Sequence, residues 1–237
     1  MSNPSRFSVN NTDINRVTLD GQICIEKTIR CNVRLPFSLE KLKGYLEDYR
    51  GMLIDAGVRM PDVVDSRVVG DRVKYVCEDG GDNLVERYTS PGELVRDYPQ
   101  VVLQVIDILR LAIDAGISID PHIKNFVGDA GGLLYVDFSP PLIDGFVNAR
   151  YSVARDDRER RILQANFSYF TAPYLPFHFA GDFLNIDDTA DELFPDLREL
   201  LITAGLIEDV TMSSFAEQAK AIRALEDERL SRDIFMM

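Results

Sequence analysis

Apolar and polar side chains alternate along the first third of the chain, which is the pattern of half-buried β-strands. Residues 17–19 and 23–29 follow this two-residue period, and Asp20-Gly21 lies between them. An Asp-Gly pair between two alternating runs is a strong signal for a tight hairpin turn. The sequence therefore predicts two short antiparallel strands joined at Asp20-Gly21.

A helical period follows directly after these strands. Ser38 is a favoured helix N-cap, and Gly57 is a favoured residue just past a helix end. Between them apolar residues recur at steps of three and four, at Leu39, Leu42, Leu46, Tyr49 and Leu53. We expect one amphipathic helix here.

Three further alternating runs, at 63–69, 72–77 and 83–88, predict more strands, with turn signals at Gly70-Asp71 and at 78–82. From Pro91 the pattern becomes helical, most clearly at 101–115, 191–204 and 213–229. The expected fold class is α+β, with a β-rich portion at 1–90 that contains one helix and a larger, mainly helical portion at 91–237.

Composition and charge narrow the classes of function. The 237 residues are 46% hydrophobic and 27% charged, as expected for a folded domain of enzyme size. The 26 basic and 39 acidic residues give a formal charge of −13, which repels phosphate backbones and anionic lipid surfaces. Nucleic acid is therefore not an expected partner.

Targeting signals and cysteine chemistry point to a cytoplasmic protein. The N-terminus lacks a basic segment followed by an apolar run, and charged residues interrupt the apolar segment 101–115, so we expect neither export nor a membrane span. Cys24, Cys31 and Cys77 form no Cys-x-x-Cys pair, which favours free thiols over a zinc site. The oligomeric state is left open.

One group of polar residues has the side chains that phosphoryl transfer needs. The segment 117–139 contains Asp120, then Asn125 five residues later, then a Gly-rich turn at 128–132 and a strand-like run that ends at Asp137. Phosphoryl transfer from ATP needs a carboxylate that orients the attacking hydroxyl and hard oxygen ligands for magnesium. Asp120, Asn125 and Asp137 supply these groups, and a short hairpin would bring Asp137 back beside Asn125.

This segment resembles the catalytic loop of the protein kinase and aminoglycoside-phosphotransferase superfamily. That loop reads Asp-x-x-x-x-Asn, often Asp-x-His-x-x-Asn in the small-molecule branch, and a metal-binding Asp ends the next hairpin. The chain has all four positions, at Asp120, His122, Asn125 and Asp137. The resemblance implies a two-lobed kinase-like fold and an ATP- and Mg²⁺-dependent phosphotransferase that acts on a small-molecule hydroxyl.

The resemblance also implies roles for individual residues. Asp120 would be the catalytic base or would orient the nucleophile, and Asn125 and Asp137 would hold magnesium. His122 would brace the loop. Lys124 would neutralise the transferring phosphoryl group or would point to water, and these two readings stay open.

In the β-rich portion the resemblance implies the nucleotide contacts. Lys27 occupies the strand position of the lysine that contacts the α- and β-phosphates, and Glu47 is the best candidate for its helical partner. The run 83–92 is similar to the last small-lobe strand and hinge. Backbone groups around Glu86, Arg87 and Tyr88 would then bind the adenine, unless this run is an ordinary edge strand and turn.

The chain departs from the family pattern in several places. The first 26 residues contain a single glycine, Gly21, where a Gly-rich phosphate loop is expected. Ser118 replaces the usual histidine two residues before the catalytic Asp, and Asp137-Phe138-Ser139 replaces Asp-Phe-Gly. The prolines at 140 and 141 disfavour a mobile activation segment. These features favour a small-molecule kinase over a regulated protein kinase.

Acceptor recognition is the least specified feature. Arg150, Tyr151 and Arg155 form a basic and aromatic cluster after Asp137, whereas the aromatic run 167–179 and His178 are typical of packed core. No residue identifies the acceptor molecule. A pseudokinase-like binding or scaffolding protein, a protein kinase and a nucleotidyl-transferring relative stay as alternatives.

Overall fold

The computed structural model describes residues 12–30, 36–88, 91–154, 156–168, 170–183 and 190–231. These residues form a mixed α+β fold that has an antiparallel sheet with a helix and a separate set of helices. In chain order the elements are β1 (Thr12–Leu19), β2 (Gln22–Arg30), α1 (Leu39–Asp55), β3 (Val63–Val69), β4 (Arg72–Glu78), α2 (Leu84–Arg87), α3 (Pro91–Asp114), a 3₁₀ helix (Ile123–Asn125), β5 (Phe126–Asp129), β6 (Gly132–Tyr135), α4 (Asp144–Ser152), α5 (Asp157–Ser168), α6 (Leu175–Phe183), α7 (Ala190–Thr203) and α8 (Met212–Ser231).

The four-stranded sheet has the order β1-β2-β4-β3, and all its neighbours are antiparallel. The predicted hairpin is present: Asp20 and Gly21 both have positive φ, 50° and 83°, which is the backbone that a tight two-residue hairpin turn requires. Lys27 on β2 lies opposite Ile14 of β1 and Tyr75 of β4, so these side chains share one face of the sheet. That face is the one that carries the site.

Helix α1 forms where the sequence predicts it. The Ser38 hydroxyl accepts a hydrogen bond from the Lys41 amide as an N-cap, and Gly57 follows the helix with φ of 91°. The helix buries one stripe of side chains, Leu42, Leu46, Tyr49 and Leu53. Burying such a side chain stabilises the fold by about 1.5–3 kcal/mol each, which holds α1 in place.

The predicted strand at 83–88 is wrong. Leu84–Arg87 is one helical turn, and the Asn83 side chain accepts hydrogen bonds from the amides of Val85 and Glu86. Asn is among the strongest N-caps, so its side chain overrides the weak apolar alternation of this short run. Asn83 itself makes one bridge to Val127. The described sheet therefore has four strands, and no fifth strand pairs with it.

One apolar core runs from the sheet into the helices. It contains Ile29 and Tyr75 of the sheet, Leu109 of α3 and Phe179 and Phe215 of the later helices. Helix α3, whose predicted part was 101–115, begins at Pro91 and supplies more buried residues to this core than any other described element. Among the described helices, none is both long enough and apolar enough to cross a membrane.

Candidate active site

The loop that carries Asp120 begins where α3 ends. Gly116 has φ of 68°, which terminates the helix, and the chain then extends. Ile117 and Ile119 are buried, whereas Ser118 and Asp120 between them are only partly buried. This two-residue alternation anchors the loop through its isoleucines and turns Asp120 towards the site.

Asp120 is held by His122. One Asp120 carboxylate oxygen, Oδ1, accepts from the backbone amide of His122 at 3.1 Å and contacts the His122 ring nitrogen Nδ1. Burial, the largest single cause, would raise the pKa of Asp120, but the charge and hydrogen bond of His122 together with smaller charge effects of His178 and Lys124 outweigh it. The pKa of Asp120 is therefore lowered, and the group is a carboxylate at neutral pH.

Asn125 lies at the end of the 3₁₀ helix, where its side chain binds the backbone of Asp120. Its side-chain Nδ2 donates to the Asp120 backbone carbonyl at 3.3 Å, and its own carbonyl accepts from the Val136 amide at 2.9 Å. The Asn125 Oδ1 atom has no hydrogen-bond partner among the described residues. The backbone bond to Val136 places Asn125 next to the segment that ends at Asp137.

The hairpin β5–β6 makes this return possible. Phe126 pairs with Tyr135, and Asp129 pairs with Gly132. Gly128 has φ of 113°, and a Cβ there would lie 2.3 Å from the Gly132 carbonyl oxygen. Only glycine fits that position, so the Gly-rich turn at 128–132 has a steric reason. The predicted hairpin is confirmed, and it brings Asp137 back beside Asn125.

Lys27 of the sheet reaches Asp137 across 110 residues of sequence. The Lys27 Nζ atom lies 2.5 Å from Asp137 Oδ1, which also accepts from the Ser139 amide at 3.3 Å. The side chains are only 11% and 16% exposed, and Nζ lies 5.0 Å from the centre of the Phe138 ring. Water screens a partly buried charge pair of this kind less than a surface pair, and the cost of removing both charges from water offsets part of the added attraction.

Glu47 does not join this pair. Its Oε1 atom binds Lys43 Nζ at 2.6 Å and Ser66 Oγ at 3.1 Å, and its side chain is about half exposed. Glu47 lies one position after buried Leu46 and two before buried Tyr49, so the helical period places it at the edge of the buried stripe. The predicted Lys27–Glu47 pair is replaced by Lys27–Asp137.

The residues predicted to bind adenine lie in the α2 turn. Glu86 is exposed, the Arg87 guanidinium lies 3.5 Å from Asp129, and the Tyr88 ring is buried in the core. The amides of residues 85 to 88 all donate within the turn, to Asn83 or Leu84. Because the prediction depended on an extended backbone, this turn removes its geometric basis.

The residues expected near the acceptor are scattered. Lys124 is partly exposed and close enough to lower the pKa of Asp120. Arg150 is buried on α4, and the Tyr151 ring packs on Phe167 at 5.9 Å between centres. Arg155 lies outside the described residues. The structure does not bring these side chains into one described cluster.

Two residues that support the loop come from α6. The Asp182 carboxylate accepts from the Ile123 amide at 2.7 Å, and the His178 ring lies 4.7 Å from the His122 ring. These residues are four positions apart, so they share one helix face. His178 is buried, as predicted from the sequence, whereas Asp182 was not among the predicted site residues. The i, i+4 spacing of His178 and Asp182 is the signal that could have indicated a shared role.

The protein ligands for a cation are few. Among the described residues, no three His, Cys, Asp or Glu side chains form a preformed metal cluster. Protein-bound Mg²⁺ commonly uses one or two protein oxygens and completes its shell with phosphates and water. Asp137 and the unpartnered Oδ1 of Asn125 fit that kind of site, and their oxygens are hard ligands of the type that Mg²⁺ prefers.

Comparison with known proteins identifies no family for the chain. No protein-family model matches the chain, and no curated protein matches it significantly.

Proposed function

We propose that the chain is an ATP- and Mg²⁺-dependent phosphotransferase of the two-lobed kinase-like kind, which transfers the γ-phosphoryl group to a hydroxyl of a small molecule such as an antibiotic, sugar or metabolite. The observation that carries the proposal is the ion pair between Lys27 and Asp137, placed beside Asn125 and Asp120. A strand lysine and a hairpin aspartate that are 110 residues apart have no local reason to meet. A shared function at the phosphate site supplies one.

The pair has a simple role in nucleotide binding. Lys27 neutralises Asp137 in the absence of phosphate, so neither partly buried charge is left alone. The ammonium has three donors, and it can turn to phosphate oxygens when they arrive. Asp137 would then be free to hold Mg²⁺ together with Asn125 Oδ1. Bound magnesium would draw charge from the phosphate oxygens.

Asp120 supplies the proton chemistry. His122 occupies its Oδ1 atom, which leaves Oδ2 to accept a hydrogen bond from the acceptor hydroxyl. Because its pKa is lowered, Asp120 is a weak base that orients the hydroxyl first and takes the proton late. The acceptor oxygen bonds to the γ-phosphorus, the bond from phosphorus to the bridging oxygen breaks, and ADP leaves with that oxygen.

We infer that adenine binds to the segment before the α2 turn and not to the turn itself. Gly80, between β4 and α2, has backbone N–H and C=O groups without a partner among the described residues. A Cβ there would lie 2.6 Å from Val127 Cγ2 and 3.3 Å from Leu134, so only glycine leaves the backbone open beside these apolar side chains. An unpaired backbone edge next to apolar side chains suits a purine.

A pseudokinase-like binding or scaffolding protein is the second candidate. It is favoured by the Lys27–Asp137 pair itself, since an ion pair that never opens would exclude magnesium from Asp137. A single glycine before residue 27 also weakens the expected phosphate loop. The two candidates differ in whether nucleotide binding depends on Mg²⁺.

The deciding experiment measures ATP binding by titration calorimetry with and without Mg²⁺, followed by turnover on a panel of hydroxylated metabolites. We expect Mg²⁺-dependent binding and turnover in the wild-type chain. Asp137→Ala should lose turnover by at least about a hundredfold, because it removes charge stabilisation at the phosphates. Asp107→Ala is the matched control, since Asp107 forms only an exposed pair with Arg110 on α3.

The outcomes separate the candidates. ATP binding that does not depend on Mg²⁺, with no turnover on any acceptor, would support the pseudokinase-like protein. An equal loss in Asp107→Ala would show that the effect of Asp137→Ala is not specific to the site. Asp120→Asn should keep Mg²⁺-ATP binding and lose turnover by about a hundredfold or more, as expected when a general base is removed.

A further inference from the structure

Two buried tyrosine hydroxyls lie directly behind the Asp120 loop, although they come from distant parts of the chain. Tyr49 belongs to α1 and Tyr135 to β6, and each is at most 1% exposed. The Tyr49 hydroxyl donates to the Ser118 carbonyl at 2.8 Å. The Tyr135 hydroxyl accepts from the Asp120 amide at 3.2 Å.

Each hydroxyl binds the backbone of the loop in a different way, because an O–H group can both donate and accept. Tyr49 donates its proton to the Ser118 carbonyl. Tyr135 accepts from the Asp120 amide. Burial, with added negative charge from Asp137 and Asp120, raises the pKa of both tyrosines, so both stay protonated.

We propose that Tyr49 and Tyr135 are positioning residues whose hydroxyls hold the Asp120 loop in register with helix α1. The catalytic consequence rests on the phosphotransferase function proposed above. Helix α1 packs on the sheet that carries Lys27. The Tyr49 hydroxyl binds the Ser118 carbonyl, two residues before Asp120, and therefore couples the position of α1 to the loop that carries the carboxylate.

Removal of one hydroxyl leaves a buried backbone group without its partner. Without Tyr135 Oη the Asp120 amide loses its acceptor, and without Tyr49 Oη the Ser118 carbonyl loses its donor. A buried unpaired group is costly, so the loop would open more often or shift. The aromatic ring is kept in a Phe variant, which limits the change to the hydroxyl group.

The test compares Tyr49→Phe and Tyr135→Phe with Tyr75→Phe. Tyr75 is a matched control, because it is also buried and its hydroxyl also donates to a backbone carbonyl, that of Lys43, at 3.2 Å. The first readout is hydrogen–deuterium exchange in peptides that cover Asp120. The second is the split between kcat and KM for Mg²⁺-ATP, with thermal unfolding as a check that each variant is folded.

We expect exchange near Asp120 to become about fivefold faster in Tyr49→Phe and Tyr135→Phe, the effect of losing one net hydrogen bond. We expect kcat to fall by about the same factor, with KM for Mg²⁺-ATP changed by less than about twofold. Tyr75→Phe should leave the exchange near Asp120 unchanged, because its hydroxyl binds Lys43 and not the loop.

Unchanged exchange in the two variants would overturn the proposal, and so would faster exchange with an unchanged kcat. An equal effect in Tyr75→Phe would show general loosening and would overturn it as well. If the wild-type chain has no turnover, the phosphotransferase function fails, and the exchange measurement still decides whether the hydroxyls hold the loop.

Discussion

Lys27 and Asp120 are held in place in different ways, and the two regions around them differ accordingly. The loop and hairpin at 117–139 hold Asp120 and Asn125 through hydrogen bonds between residues that are two to five positions apart. In the sheet, Lys27 depends on strand register and on one partner, Asp137, at the far end of the site. Local bonds orient the side chain of the proton acceptor, whereas a long-range ion pair places the phosphate contact.

This difference has a consequence for ligand response. His122 holds the Asp120 carboxylate and Asn125 binds the Asp120 backbone carbonyl, and neither bond needs a nucleotide. Lys27 has one ion-pair partner among the described residues and can exchange it for another anion. We therefore expect the sheet side of the site to change on nucleotide binding and the loop side to stay in place.

The largest expected effect comes from Lys27→Met. Loss of the ammonium should weaken Mg²⁺-ATP binding by about tenfold to a hundredfold, because a charge-assisted hydrogen bond to phosphate is removed. Binding of Mg²⁺ or Mn²⁺ without nucleotide should strengthen, because Asp137 is no longer neutralised. Calorimetry measures both.

Lys74→Met is the control for Lys27→Met. Lys74 pairs with Glu26 at 2.9 Å on the opposite face of the same sheet, and its loss should leave both affinities unchanged. If Lys27→Met binds Mg²⁺-ATP as tightly as the wild type, the ion pair is only a structural contact.

A smaller effect is expected from Asp182→Ala, which removes the acceptor of the Ile123 amide. The free energy of unfolding should fall by about 1–3 kcal/mol, the cost of a buried unpaired amide. Asp182→Asn keeps an oxygen acceptor and should lose less. Urea unfolding measures both, with exposed Asp196→Ala on α7 as control. Equal losses for the Ala and Asn variants would show that charge, and not the hydrogen bond, is what matters.

A smaller, pH-dependent effect is expected from Asp120→Asn. Since the pKa of Asp120 is lowered in the fold, its ionised form stabilises the chain above the ordinary Asp pKa of about 3.9. That stabilisation is lost as the pH falls from there towards the lowered pKa. The variant should be less stable by about 1 kcal/mol at pH 7, and the difference should shrink below about pH 4. Urea unfolding over this range checks it, and a difference that grows on acidification would contradict it.

The smallest effect is expected from Glu47→Gln. Its carboxylate binds Lys43 and Ser66 at the protein surface, so stability should change by less than about 0.5 kcal/mol and Mg²⁺-ATP affinity by less than about twofold. The same calorimetric titration applies, with Lys27→Met as the positive comparison. A tenfold loss of affinity would mean that Glu47 turns to Lys27 when the nucleotide binds.

Much of the fold is readable from short-range patterns. The turn at Asp20-Gly21, the cap at Ser38 and the hairpin after Asn125 all form as predicted, because each depends on residues within a few positions of one another. The strand predicted at 83–88 is wrong because two short-range signals compete there. Its alternation favoured a strand, but the Asn83 side chain satisfies two amides of a helical turn.

The sequence by itself determined the spacing of Asp120, Asn125 and Asp137, since the loop and hairpin that bring them together close through local backbone bonds. Only the tertiary structure decided which side chains reach that point from elsewhere. Lys27 pairs with Asp137 and not with Glu47. Asp182 and Tyr49 bind the loop, although no sequence pattern predicted these contacts. Sheet register and helix packing set those contacts, and neither leaves a short-range pattern in the sequence.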